Sequence, residues 1–117
     1  MKEELLKIIN HYGTDNQKRK LVEEVYELLD ALAEINYSSS NFSNNVERMI
    51  NHVVEEMADV LVLIEQFRLY WNIDMDDIEK IFKQKVIRTI NEIGAENEKL
   101  LRSATRIRSS KKQTKKS

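Results

Sequence analysis

Val53-Val54-Glu55-Glu56-Met57-Ala58-Asp59-Val60-Leu61-Val62-Leu63-Ile64-Glu65-Gln66-Phe67, residues 53–67, decides the fold class. With Val46, Met49 and Ile50 ahead of it, the stretch sets apolar side chains at Val53, Met57, Val60, Leu61, Ile64 and Phe67, the three-and-four spacing of a helix face. No breaker interrupts the stripe before Asn72. A long central helix is expected here, opened by Asn44 as cap with Glu47 three positions on.

The neighbouring segments read the same way. Upstream, residues 38–44 are serine, asparagine and one phenylalanine, side chains that compete with the backbone for hydrogen bonds, so they form a loop. Before that loop, Thr14-Asp15-Asn16-Gln17 has the form of a capping box and opens a helix to about Asn36, carrying Leu21, Val25, Leu28, Leu32 and Ile35. Leu5, Ile8 and Ile9 give a short first helix that Gly13 ends. Downstream, Asp74 is the cap of a fourth helix from Met75 to Ile93 or beyond, with Asp76 and Asp77 at its positive dipole end.

Composition agrees with helices throughout. The 117 residues include no proline, 2 glycines and 7% aromatics against 33% charged residues, which leaves a sheet without turns or β-formers. The fold expected is all-α, a four- to five-helix bundle with an antiparallel central helix pair, in one domain over residues 1–100. Residues 101–117 are expected to be a disordered basic tail, since from Ser103 on almost nothing apolar repays the entropy of ordering.

The absence of cysteine excludes disulfides, thiolate nucleophiles and cysteine-type zinc, so any metal must be held by oxygen or imidazole. No apolar stretch has the length of a membrane span and the N-terminus lacks the core of a signal peptide, so a soluble, cytoplasmic protein is expected. The net charge of -1 conceals a basic stretch from Lys99 onward and an acidic body before it.

That acidity is patterned. Val22-Glu23-Glu24-Val25-Tyr26-Glu27 in the second helix and Val54-Glu55-Glu56-Met57-Ala58-Asp59 in the third share one V-E-E-x-x-acid pattern. On a helical wheel, Glu24 and Glu56 each lie roughly 80° to one side of the apolar centre, and Glu27 and Asp59 roughly 140° to the same side. Glu23 and Glu55 face nearly away from it. If the two helices are antiparallel neighbours, equal offsets bring Glu24, Glu27, Glu56 and Asp59 to one side of the pair. Four carboxylates so gathered repel one another unless a cation compensates them, and Mg²⁺, with its preference for hard oxygen ligands, suits them. The bland alternative is a solvated acidic face.

The motif resembles that of the MazG-like all-α nucleoside triphosphate pyrophosphohydrolases, E-E-x-x-E followed across a loop by E-x-x-D. Here it reads Glu23-Glu24-Val25-Tyr26-Glu27 and Glu56-Met57-Ala58-Asp59, and the likeness extends over about Gln17 to Ile93. The resemblance implies Mg²⁺, with Mn²⁺ as a substitute, on Glu24, Glu27, Glu56 and Asp59. It also implies that Lys85 and Arg88 on the following helix meet the substrate phosphates and act in catalysis. Gln17 and Lys20, just before the first motif, are read from their position as lining the same cleft. Hydrolysis would convert a nucleoside triphosphate into monophosphate and pyrophosphate; Glu27 is chosen as the ligand that also orients water, although nothing in the sequence separates ligand from base. Nucleotide-pool house-cleaning is the role it suggests, and a homodimer or homotetramer the assembly.

Other readings compete. A dimeric dUTPase or a phosphoribosyl-ATP pyrophosphatase relative shares the carboxylate logic. A di-iron bundle wants Glu-x-x-His pairs, which His11 and His52 do not form; His52, one turn before Glu56, reads as solvated. Tyr26, Tyr70 and Trp71 are candidates for stacking on a base, though such aromatics are more often core or interface. A non-enzymatic helical module would grip nucleic acid through the tail between Arg102 and Lys116, weakly and without sequence preference.

Overall fold

The structure, a computed structural model, describes residues 1–37 and 44–115. Four helices follow one another: α1 (Lys2–Tyr12), α2 (Thr14–Tyr37), α3 (Asn44–Tyr70) and α4 (Met75–Lys115), with no strand among the described residues. The loop expected at 38–44 falls largely outside the described residues, and α3 begins at Asn44.

Helices α1 to α3 form one compact unit and α4 a second. Within the first, Ile9 of α1, Ala31 of α2 and Val53, Val60, Leu63 and Phe67 of α3 are buried. The buried face of α3 is thus narrower than its apolar stripe: Ile50, Met57, Leu61 and Ile64 stay exposed. The contacts between α2 and α3 pair the start of one with the end of the other, as Gln17 with Gln66 and Glu34 with His52, and middle with middle at Glu24, Glu27 and Glu56.

The ends of α1 and α3 have local causes. Gly13 takes φ 86, a left-handed backbone that a Cβ disfavours, and this single residue turns α1 into α2. Asn72 takes φ 52 and ends α3, while the Ile73 amide donates to the Arg68 carbonyl at 2.9 Å and the Arg68 side chain donates back to the Ile73 carbonyl at 2.9 Å. Arg68 is fixed in turn by a two-oxygen grip on Glu65, which holds the Glu65 carboxyl below its ordinary range.

Two expectations are corrected. Gln17 does not complete a capping box: its side chain is buried and donates to Gln66 Oε1 at 2.8 Å, because a buried amide of α3 needs a partner there. And α4 does not give way to an unstructured tail at 101 but stays helical to Lys115. With neither proline nor glycine, and with three arginines and three lysines among residues 101–115, this stretch can satisfy its backbone locally without needing a core. Leu100, Leu101 and Ile107 along it are exposed.

Candidate metal centre

The middle of the α2–α3 pair is built on a repeat of position. Counting 32 residues on from α2 into α3 aligns Glu24 with Glu56 and Glu27 with Asp59, and also Leu28 with Val60 and Ala31 with Leu63. In a pair that runs start to end, positions with this offset come together only near its middle, and there the border acids Glu24 and Glu27 lie close to Glu56.

Glu24, Glu27 and Glu56 each present a carboxylate oxygen within 4.8 Å of the others. Glu24 and Glu56 are 8% and 9% exposed, while Glu27 opens to solvent. Asp59, exposed, is not in this three-residue set, but its charge acts on Glu24. Burial foremost, then the Glu27 carboxyl by hydrogen bonding and by charge, and then Asp59, push the Glu24 carboxyl above its ordinary range, against the pull of Lys20.

Two observations bear on what the cluster can hold. Glu24 Oε2 and Glu56 Oε2 are buried and have no hydrogen-bond partner. A buried carboxylate oxygen left without a partner is costly, and two in one cluster are costlier because their charges add. Second, the donors are all oxygen, the set that hard divalent cations take. The residues fit such an ion.

The other oxygens of the two buried acids are engaged. Glu24 Oε1 lies 3.5 Å from Lys20 Nζ, and Glu56 Oε1 lies 3.2 Å from His52 Nε2, in both cases one turn earlier on the same helix. The His52 ring also reaches Glu34 Oε2 of α2, 3.6 Å from Nδ1. His52, read from the sequence as solvated, is half exposed and also lies between an acid of its own helix and one of α2. A wheel shows its flank but not the glutamate across from it.

Gln17 and Lys20 line a hollow of about 380 Å³ with Ile8, Tyr12, Asn16 and Leu63, among the first three helices and one turn from Glu24. Lys85 and Arg88 stand on α4, in the second unit. Lys85 borders a shallow apolar hollow with Ile78, Ile81 and Phe82, and Arg88 pairs with Glu92 at 3.9 Å. Of the aromatics expected to stack on a base, Tyr26 is exposed, and Trp71 lies parallel to Phe67 at 5.2 Å with Tyr70 edge-on beside it.

A family model, the MazG nucleotide pyrophosphohydrolase domain, matches residues 12–93, which span α2, α3 and the first half of α4. No curated protein and no solved structure matches the chain.

Proposed function

The chain belongs to the MazG nucleotide pyrophosphohydrolase family, and on that premise we propose that it hydrolyses nucleoside triphosphates to monophosphate and pyrophosphate with Mg²⁺ on Glu24, Glu27, Glu56 and Asp59. The observation that carries the reading is the pair of buried, unpartnered oxygens, Glu24 Oε2 and Glu56 Oε2, in one acidic cluster. Mg²⁺ held there supplies the positive charge that draws in and polarises the triphosphate oxygens.

The chain's own groups do the rest. Glu27, solvent-open beside two buried acids, orients the attacking water and takes its proton. As the new P–O bond forms, the bond between the α and β phosphates breaks and pyrophosphate departs. Lys85 and Arg88 neutralise the charge that gathers on that leaving group. The hollow beside Gln17 and Lys20 has the volume of a small-ligand site and receives the nucleoside side of the substrate.

The working unit is a homo-oligomer. In the single chain Val22 and Leu29 on α2, and Val54 and Leu61 on α3, are exposed, each pair seven residues apart. Two helices striped in this way are half of a four-helix bundle, and a second copy supplies the same stripes in an isologous contact. Among the described residues no helix is long and apolar enough to cross a membrane. The setting we propose is the cytoplasm, and the role is clearing aberrant or excess nucleotides.

The test is pyrophosphate release from a panel of standard and modified NTPs and dNTPs, with and without Mg²⁺, by the wild type and Glu56→Gln. Metal-dependent release that falls on the order of 100-fold or more in the variant supports the reading. A folded wild type that releases pyrophosphate from none of them overturns it.

A further inference from the structure

We propose that His52 is a positioning residue of the cation site, which holds Glu56 so that one of its two oxygens is presented to the ion. The proposal rests on the reading of the acidic cluster as a cation site and assigns a function to a residue outside the acidic motif.

The geometry is specific. His52 Nε2 lies 3.2 Å from Glu56 Oε1, while Glu56 Oε2, on the same carboxylate, is buried and has no partner. The contact thus distinguishes two otherwise equivalent oxygens. The ring also faces the opposite helix, with Nδ1 3.6 Å from Glu34 Oε2 in a half-exposed contact. A glutamate side chain has three torsions to freeze when it binds an ion, and a partner in contact with one of its oxygens restricts them beforehand.

The same device occurs on α2. Lys20 occupies the position equivalent to His52 under the 32-residue offset, touches Glu24 Oε1 at 3.5 Å, and again leaves Oε2 buried without a partner. Helix geometry accounts for the spacing, since residues four apart lie one above the other on a face. The two braces differ in one respect: His52 ties the two helices together through Glu34, whereas the Lys20 contact stays within α2.

The experiment measures Mn²⁺ binding by calorimetry and by paramagnetic resonance, on the full chain without nucleotide, for wild type, His52→Ala, His52→Gln and Glu34→Gln. Helicity and melting temperature are recorded alongside. The expected result is Mn²⁺ affinity roughly 10- to 100-fold weaker in His52→Ala. His52→Gln should recover most of it, because its amide donor reaches Glu56 from the same position, and Glu34→Gln should fall between. Unchanged or tighter binding by His52→Ala overturns the proposal, as does weakening that His52→Gln shares in full while both variants stay folded. A wild type that binds Mn²⁺ and releases pyrophosphate while His52→Ala binds equally well sinks only the brace. One that binds Mn²⁺ in a His52-dependent way but hydrolyses no nucleotide sinks only the proposed reaction.

Discussion

Gln17, in the first turn of α2, donates its side-chain amide to the Gln66 carbonyl oxygen near the end of α3 at 2.8 Å, with both residues almost wholly buried. This neutral pair closes one end of the helix pair about two turns from Glu24, so the hydrogen bond and the cation site share one packed interface. Replacing Gln66 by leucine strands the Gln17 amide and should cost about 1–3 kcal/mol. Gln17→Leu combined with Gln66→Leu should recover much of that loss. Denaturant midpoints of the two single variants and the double variant measure the coupling.

Metal-free stability should fall as pH rises through the folded-state value of Glu24, which burial and the neighbouring acids push upward. Below the ordinary carboxylate range the group is protonated in both folded and unfolded chain, and the cost is absent. Above the raised value the folded state must hold a charge that the unfolded chain leaves in water. Glu65 acts in the opposite sense: its carboxyl is held low by Arg68, so its contribution is lost as pH falls. Comparing wild type with Glu24→Gln by denaturation from about pH 4 to 8 isolates the first effect. The variant should gain on the wild type as pH rises, and added Mg²⁺ should narrow the gap.

Leu61→Glu should shift the assembly toward a smaller species in sedimentation velocity without loss of helicity. The side chain is 61% exposed in the single chain, so the charge costs the folded monomer little and the proposed interface much.

Removing residues 103–117 should leave kcat/KM for nucleotide unchanged, because the family match ends at residue 93. Retention on non-specific DNA at low salt should fall, since this stretch carries much of the chain's positive charge. Loss of turnover would give the segment a part in the site.

Much of this was legible in the sequence. Periodicity around Val53 to Phe67 announced the central helix, and the wheel offsets of Glu24 and Glu56 separated the acids that become buried from Glu23 and Glu55, which stay exposed. What it missed depends on contacts between helices. Nothing local tells Gln17 that Gln66 awaits it, or His52 that Glu34 lies across from it. Nor does a wheel set distances, so it gave Glu27 and Asp59 equal standing where the structure draws Glu27 into the close set and leaves Asp59 acting through its charge. The extent of α4 was misjudged for another reason: a stretch with little to bury was equated with one that cannot form a helix.

The positional match between α2 and α3 bears on how much information the centre requires. Brace, buried acid, outer acid and core contact recur in the same order 32 residues apart, as Lys20, Glu24, Glu27 and Ala31 and again as His52, Glu56, Asp59 and Leu63. One helical segment used twice is enough to specify the acids of the centre.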